Sequence, residues 1–139
     1  MCALGDWNNG WAWYLLNGRL VLTFNVFGTP YRFASTTAVP AGRHALGVEY
    51  RREQPTGGPV VLRVDDEVVA EGKLPVNLPF RWQIGGAGLL VGRDRGFPVC
   101  DDYETPFAFT GTLSDITFEI PSLRPRVPEE EIVTALRHE

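Results

Sequence analysis

The chain has 139 residues, a formal net charge of −4 and 44% apolar residues, which suits one domain with a sizeable core. A mildly acidic chain without a basic run gives no reason to expect nucleic-acid binding, and no stretch approaches the roughly 20 apolar residues of a membrane span. Fifteen Gly and 11 Pro favour turns over long helices, and 12% aromatic residues, four of them Trp, favour sheets.

In chain order, Gly10–Leu16 alternates Trp11, Trp13 and Leu15 against Ala12 and Tyr14. Asn17-Gly18 follows, the strongest short hairpin signal because a type I′ turn needs φ > 0 at both central residues. Arg19–Phe27 is the returning strand, with Leu20, Leu22 and Phe24 on one face. Gly28-Thr-Pro30 turns the chain into a strand over Tyr31–Thr36, and Pro40-Ala-Gly42 leads into another over Arg43–Arg51. Between Gly57 and Leu74 a strand with Val60, Leu62 and Val64 on one face meets an acidic turn at Asp65-Asp66-Glu67 and returns. Phe80–Ile84 and Leu89–Gly92 read as short strands. Arg93–Pro106 is a loop long enough to suggest a function or a specific tether. Phe107–Ile120, with Ile116, Phe118 and Ile120 alternating, supplies the last strands. Residues 1–120 form the predicted β-domain, and 121–139 a Pro-rich linker with a short helix from Pro128. Its stripe of Ile132, Val133 and Leu136 must dock to be stable. About nine short strands joined by turns imply an all-β fold of antiparallel sheets packed face to face, a jelly-roll-like β-sandwich, with an open barrel as the alternative.

The hairpin over Pro59–Gly72 and the closing Phe109-Thr-Gly-Thr-Leu-Ser-Asp-Ile116 resemble laminin-G and concanavalin A-like sandwiches. Leu90-Val-Gly-Arg-Asp-Arg-Gly-Phe-Pro-Val-Cys-Asp-Asp-Tyr103, followed by Pro106-Phe-Ala-Phe-Thr-Gly111, is more specific. It is similar to the C-terminal domain of actinobacterial-type arylsulfatases, as are Gly10–Leu20 and Asn25-Val-Phe-Gly28. The resemblance runs from about Leu4 to Ile120. It implies a non-catalytic accessory domain that braces a catalytic partner or associates with a protein. Family members carry a further strand before the segment matching Leu4, so the resemblance implies an incomplete sheet edge that a second copy or a partner protein completes.

Enzyme chemistry is not expected. The formylglycine motif Cys/Ser-x-Pro-x-Arg is missing around both Cys2 and Cys100, and no Glu-x-Asp-x-x-Glu string provides a glycanase carboxylate pair. Asp94, Asp101 and Asp102 cluster in the long loop. They are candidate ligands for Ca²⁺, a hard cation that takes several oxygens, or else partners of Arg93 and Arg95 in loop-fixing ion pairs. With Trp7 and Tyr103 they form a candidate ligand site for a lectin-like alternative that binds a glycan through the 93–106 loop. Trp7 lies in a loop, whereas Trp11 and Trp13 share a strand face that reads as core. His44 and His138 lie in unrelated segments, so His44 reads as a satisfied core or rim residue. Two cysteines could pair but are too few for a disulfide framework. The first residues show neither the basic region nor the apolar run of a signal peptide, so a cytoplasmic location is expected.

Overall fold

The computed structural model describes residues 1–53, 55–78, 89–95 and 97–119. Ten strands are assigned among them: β1 (Cys2–Gly5), β2 (Asn9–Leu16), β3 (Arg19–Val26), β4 (Thr29–Ala34), β5 (Leu46–Tyr50), β6 (Gly58–Val64), β7 (Glu67–Leu74), β8 (Leu89–Val91), β9 (Arg93–Asp94) and β10 (Phe107–Ala108). A five-stranded sheet has the order β4-β3-β2-β1-β8, a three-stranded sheet the order β5-β6-β7, and β9 and β10 form a small separate ladder. All pairings are antiparallel. The fold is an all-β antiparallel sandwich. No helix among the described residues is long and apolar enough to cross a membrane.

Local sequence accounts for the hairpins. Asn17 and Gly18 have φ of 50° and 78°, Phe27 and Gly28 of 51° and 85°, and Asp65 and Asp66 of 50° and 66°. Each pair makes a two-residue turn whose twist matches the strands it joins. Phe27-Gly28 shifts the predicted turn forward, so that Pro30 lies inside β4. Because β4 is the edge strand of its sheet, a residue without an N–H is tolerated there.

Alternation assigns the faces. Cys2, Trp13, Leu20, Leu22, Phe24 and Val26 point from the five-stranded sheet toward Val60, Leu62, Val64 and Leu74 of the other, forming the inner core. Met1, Ala3, Ala12, Tyr14 and Val21 point to the opposite face. That face is covered by Val99, Cys100, Tyr103, Phe107 and Phe109, so the long loop lies across the outer face of the sheet as a third layer. The small side chains of Ala3 and Ala12, paired in register, leave room for it. β3 is therefore buried on both faces after its first residue.

Two expectations are modified. The alternating segment up to Glu119 contributes only Phe107–Ala108 as strand, although Ile116 still packs on the inner core. Phe118, two residues on, is instead 49% exposed, so the predicted alternation does not mark a half-buried strand here. β1 pairs on both sides, with β2 and β8, so among the described residues β8 and not β1 is the outermost strand on that side. Cys2 and Cys100 are free thiols in opposite cores. The strand expected at Phe80–Ile84 and the helix and linker of 121–139 lie outside the described residues.

Candidate functional site

The outer face carries a polar network under the loop. β2 supplies Tyr14, β3 supplies Thr23 and Asn25, and β4 supplies Arg32, placed side by side by the strand register. Tyr14 Oη donates to Asp102 Oδ2 at 2.5 Å, and Arg32 Nε donates to the same oxygen at 2.8 Å. Tyr14 Oη also lies 3.0 Å from Thr23 Oγ1 and 3.3 Å from Cys100 Sγ. A phenol has one proton, and here Tyr14 uses it in the hydrogen bond to the carboxylate. Thr23 and Cys100 must therefore donate to the phenol oxygen, which fixes Cys100 as a thiol.

Electrostatics agree. Burial, then the hydrogen bond to Asp102, pushes the Tyr14 hydroxyl far above its usual range. Burial raises the Cys100 thiol. Burial alone would raise the Asp102 carboxyl, but hydrogen bonds from Tyr14 and Arg32, with the Arg32 charge, outweigh it and hold it low.

Asp94 is the second anchor. It is 1% exposed and accepts from Arg95 N at 2.9 Å, Val99 N at 3.4 Å and the Tyr103 hydroxyl. Burial, then Asp94, raises the Tyr103 hydroxyl strongly. The Tyr103 ring stacks on Phe107 at 4.5 Å and meets Tyr14 edge-on at 5.1 Å.

Asn25 is the third anchor and is nearly inaccessible. Its amide donates to Trp7 O at 2.6 Å and to Val99 O at 2.9 Å, and its oxygen accepts from Gly28 N at 2.9 Å. One side chain thus joins the β1–β2 turn, the β3–β4 turn and the loop. Asp6 Oδ1 shapes the first of these turns by accepting from Asn8 N and Asn9 N.

The five candidates from sequence divide accordingly. Asp94 and Tyr103 bond each other, Asp102 bonds Tyr14 and Arg32, Asp101 is exposed, and Trp7 stands on the turn held by Asn25. The three aspartates do not converge. Among the described residues no group of three or more His, Cys, Asp or Glu side chains is arranged to hold a metal ion. The loop's ion pair is made by Arg32, a strand residue, in place of Arg93 or Arg95. His44 is a rim residue as expected, with Nδ1 2.5 Å from Asp65 Oδ2.

Sequence reasoning missed Tyr14, Thr23, Asn25 and Arg32. A signal was present: Thr23 and Asn25 interrupt an otherwise apolar strand, and buried polar side chains need partners. Chemically, the network holds its protons. Two phenols and a thiol with raised pKa values, grouped around carboxylates already engaged, make a tether for the loop and offer no activated nucleophile. Comparison of the chain with protein-family models, with curated proteins and with solved structures finds no match.

Proposed function

We propose that the chain is a non-catalytic accessory or interaction domain, similar in role to the C-terminal domain of actinobacterial-type arylsulfatases, acting by protein association or bracing. The carrying observation is the use made of the motif loop. Asp94, Asp102 and Tyr103 are bonded inward, to Tyr14, Arg32 and the loop's own backbone and to one another, where they hold the outer layer in place. A laminin-G or concanavalin A-like jelly-roll assignment belongs to the same reading. The return of β8 to lie beside β1 supports it. Two unpaired thiols fit a cytoplasmic setting.

The association surface is the β8 edge. Leu89 and Val91 are 49% and 44% exposed there, and an apolar strand edge is a template for pairing. Light scattering on the full chain tests this. A mass above that of one chain, reduced to one chain by Leu89→Lys with Val91→Lys, is expected. A monomer at every concentration, with no difference in the edge variant, would remove the self-association form of the reading.

A further inference from the structure

Three large aromatic side chains stand out from one end of the five-stranded sheet. Trp7 is 58% exposed, Phe27 71% and Phe97 70%. They come from three different connections, and the hydrogen bonds around Asn25 bring those connections together. The Asn25 amide holds Trp7 O and Val99 O at once, so the backbones at Trp7 and Val99 are neighbours, and Phe97 precedes Val99 by two residues. The Phe27-Gly28 turn is bonded to the Trp7 turn through Phe27 N to Asn9 Oδ1 at 2.9 Å and Gly28 N to Asn8 O at 2.8 Å. A single exposed aromatic residue is ordinary, but three gathered on one rim are not.

Phe27 adds an independent sign. Its φ of 51° lies in the left-handed region, where Asn, Asp or Gly is the usual residue and a bulky side chain is an outlier. The sequence keeps a phenylalanine in that strained, solvent-facing position, and such strain gathers at functional sites.

We propose that Trp7, Phe27 and Phe97 form a stacking platform for a neutral polysaccharide. A pyranose ring offers a face of C–H bonds that packs on an aromatic face, while its rim of hydroxyls needs polar neighbours. The platform provides both. Asn8 is exposed beside Trp7 on the same turn, and the hydrogen bonds that tie the turns together remove ordering cost before the ligand arrives. A stable protein interface needs about 800 Å² of close contact per partner, which separated turn tips suit poorly. The exposed charges on either side of Phe97 in sequence, Arg95 and Asp101, are opposite in sign and give no preference for a charged chain. The three rings lie outside β8, so this proposal rests on other residues than the association reading. It moves lectin-like binding from the loop carboxylates to the rim.

Affinity electrophoresis of the full chain tests it, in native gels containing soluble β-glucan, galactomannan or xylan, with heparin as the sulfated comparison. At least one neutral polysaccharide should retard the chain. Trp7→Ala, Phe97→Ala and Phe27→Asn should each weaken that retardation by roughly threefold to tenfold. Asn is chosen at Phe27 because it accepts the left-handed backbone, so that loss of the ring is not confused with loss of the turn. Val91→Lys should bind like the parent chain. No retardation by any neutral polysaccharide, retardation that the three ring variants leave intact, or retardation by heparin alone would each overturn the proposal. Ring variants that change the solution mass while no polysaccharide binds would assign the rim to a second copy, and overturn it too.

Discussion

Tyr14 and Asp102 are 88 residues apart in sequence, yet the hydroxyl of one and the carboxylate of the other meet at 2.5 Å beneath the loop. Tyr14→Phe removes the acceptor that Thr23 and Cys100 share and one of the two donors on Asp102 Oδ2. A loss of about 1–3 kcal/mol is expected from leaving such groups unsatisfied. Urea unfolding followed by fluorescence measures it, and a change below about 0.5 kcal/mol would show that solvent replaces the bonds.

Asp94 is the more deeply buried carboxylate, and its oxygens face donors only. Asp94→Asn would aim an amide N–H₂ at those donors. It should cost more than Asp102→Asn, by about 1 kcal/mol or more. The same urea experiment ranks the two, and the reverse order would place the main anchor at Asp102.

Stability should fall in acid. The folded-state pKa of Asp102 is held below its unfolded value, so its contribution is complete above about pH 4 and is lost as pH drops through the lower folded value. Asp65 has the same sign, through its bond with His44. His44 is raised, chiefly by that bond, so its contribution is present below about pH 6.5 and fades as pH rises through the higher folded value. Thermal melts from neutral to acid pH should show a shallower decline for Asp102→Asn than for the parent. Parallel curves would mean that other carboxylates govern the transition.

Both thiols should resist alkylation while the chain is folded. Cys2 is pushed up to about 11 by burial, and Cys100 is raised and donates to Tyr14. Slow modification in buffer and rapid modification of both in urea is the expected pattern. Fast native labelling of Cys100 would show that the outer layer opens readily.

Calcium should leave the melting temperature unchanged relative to chelator, since Asp94 and Asp102 accept from internal donors and the three loop aspartates point to separate partners or to solvent. A rise with Ca²⁺ would restore the cation reading of the loop.

The strands of the β2–β3 and β6–β7 hairpins were legible because period-two alternation marks half-buried strands, and their turns because Asn17-Gly18 and Asp65-Asp66 suit positive φ. Alternation also separated Tyr14 and Val21 from Trp13 and Leu22 correctly. It could not say what would cover the outer face, because that depends on a loop folding back from the far end of the chain. The partner of Asp102 was out of reach for the same reason. Arg93 and Arg95 are close in sequence, yet Arg32 lies across the sheet where the loop lands. The rim was half visible: Trp7 was recognised as a loop residue, but Phe27 passed for the end of a strand.

The double burial of β3 has a bearing on how its pairing is specified. In most sheets a slip of one residue throws apolar side chains into water, and that penalty sets the alignment. Here a slip would exchange one dry layer for another, and hydrophobicity would discriminate only weakly between the two alignments. The task of fixing the alignment passes to the polar residues. Thr23 and Asn25 have partners only in the native alignment, Leu20 N is bonded by Ser35 Oγ at 3.1 Å, and the Asn17-Gly18 turn admits no extra residue. The side chains that contribute least to the apolar interior are thus the ones that tell it which way to face.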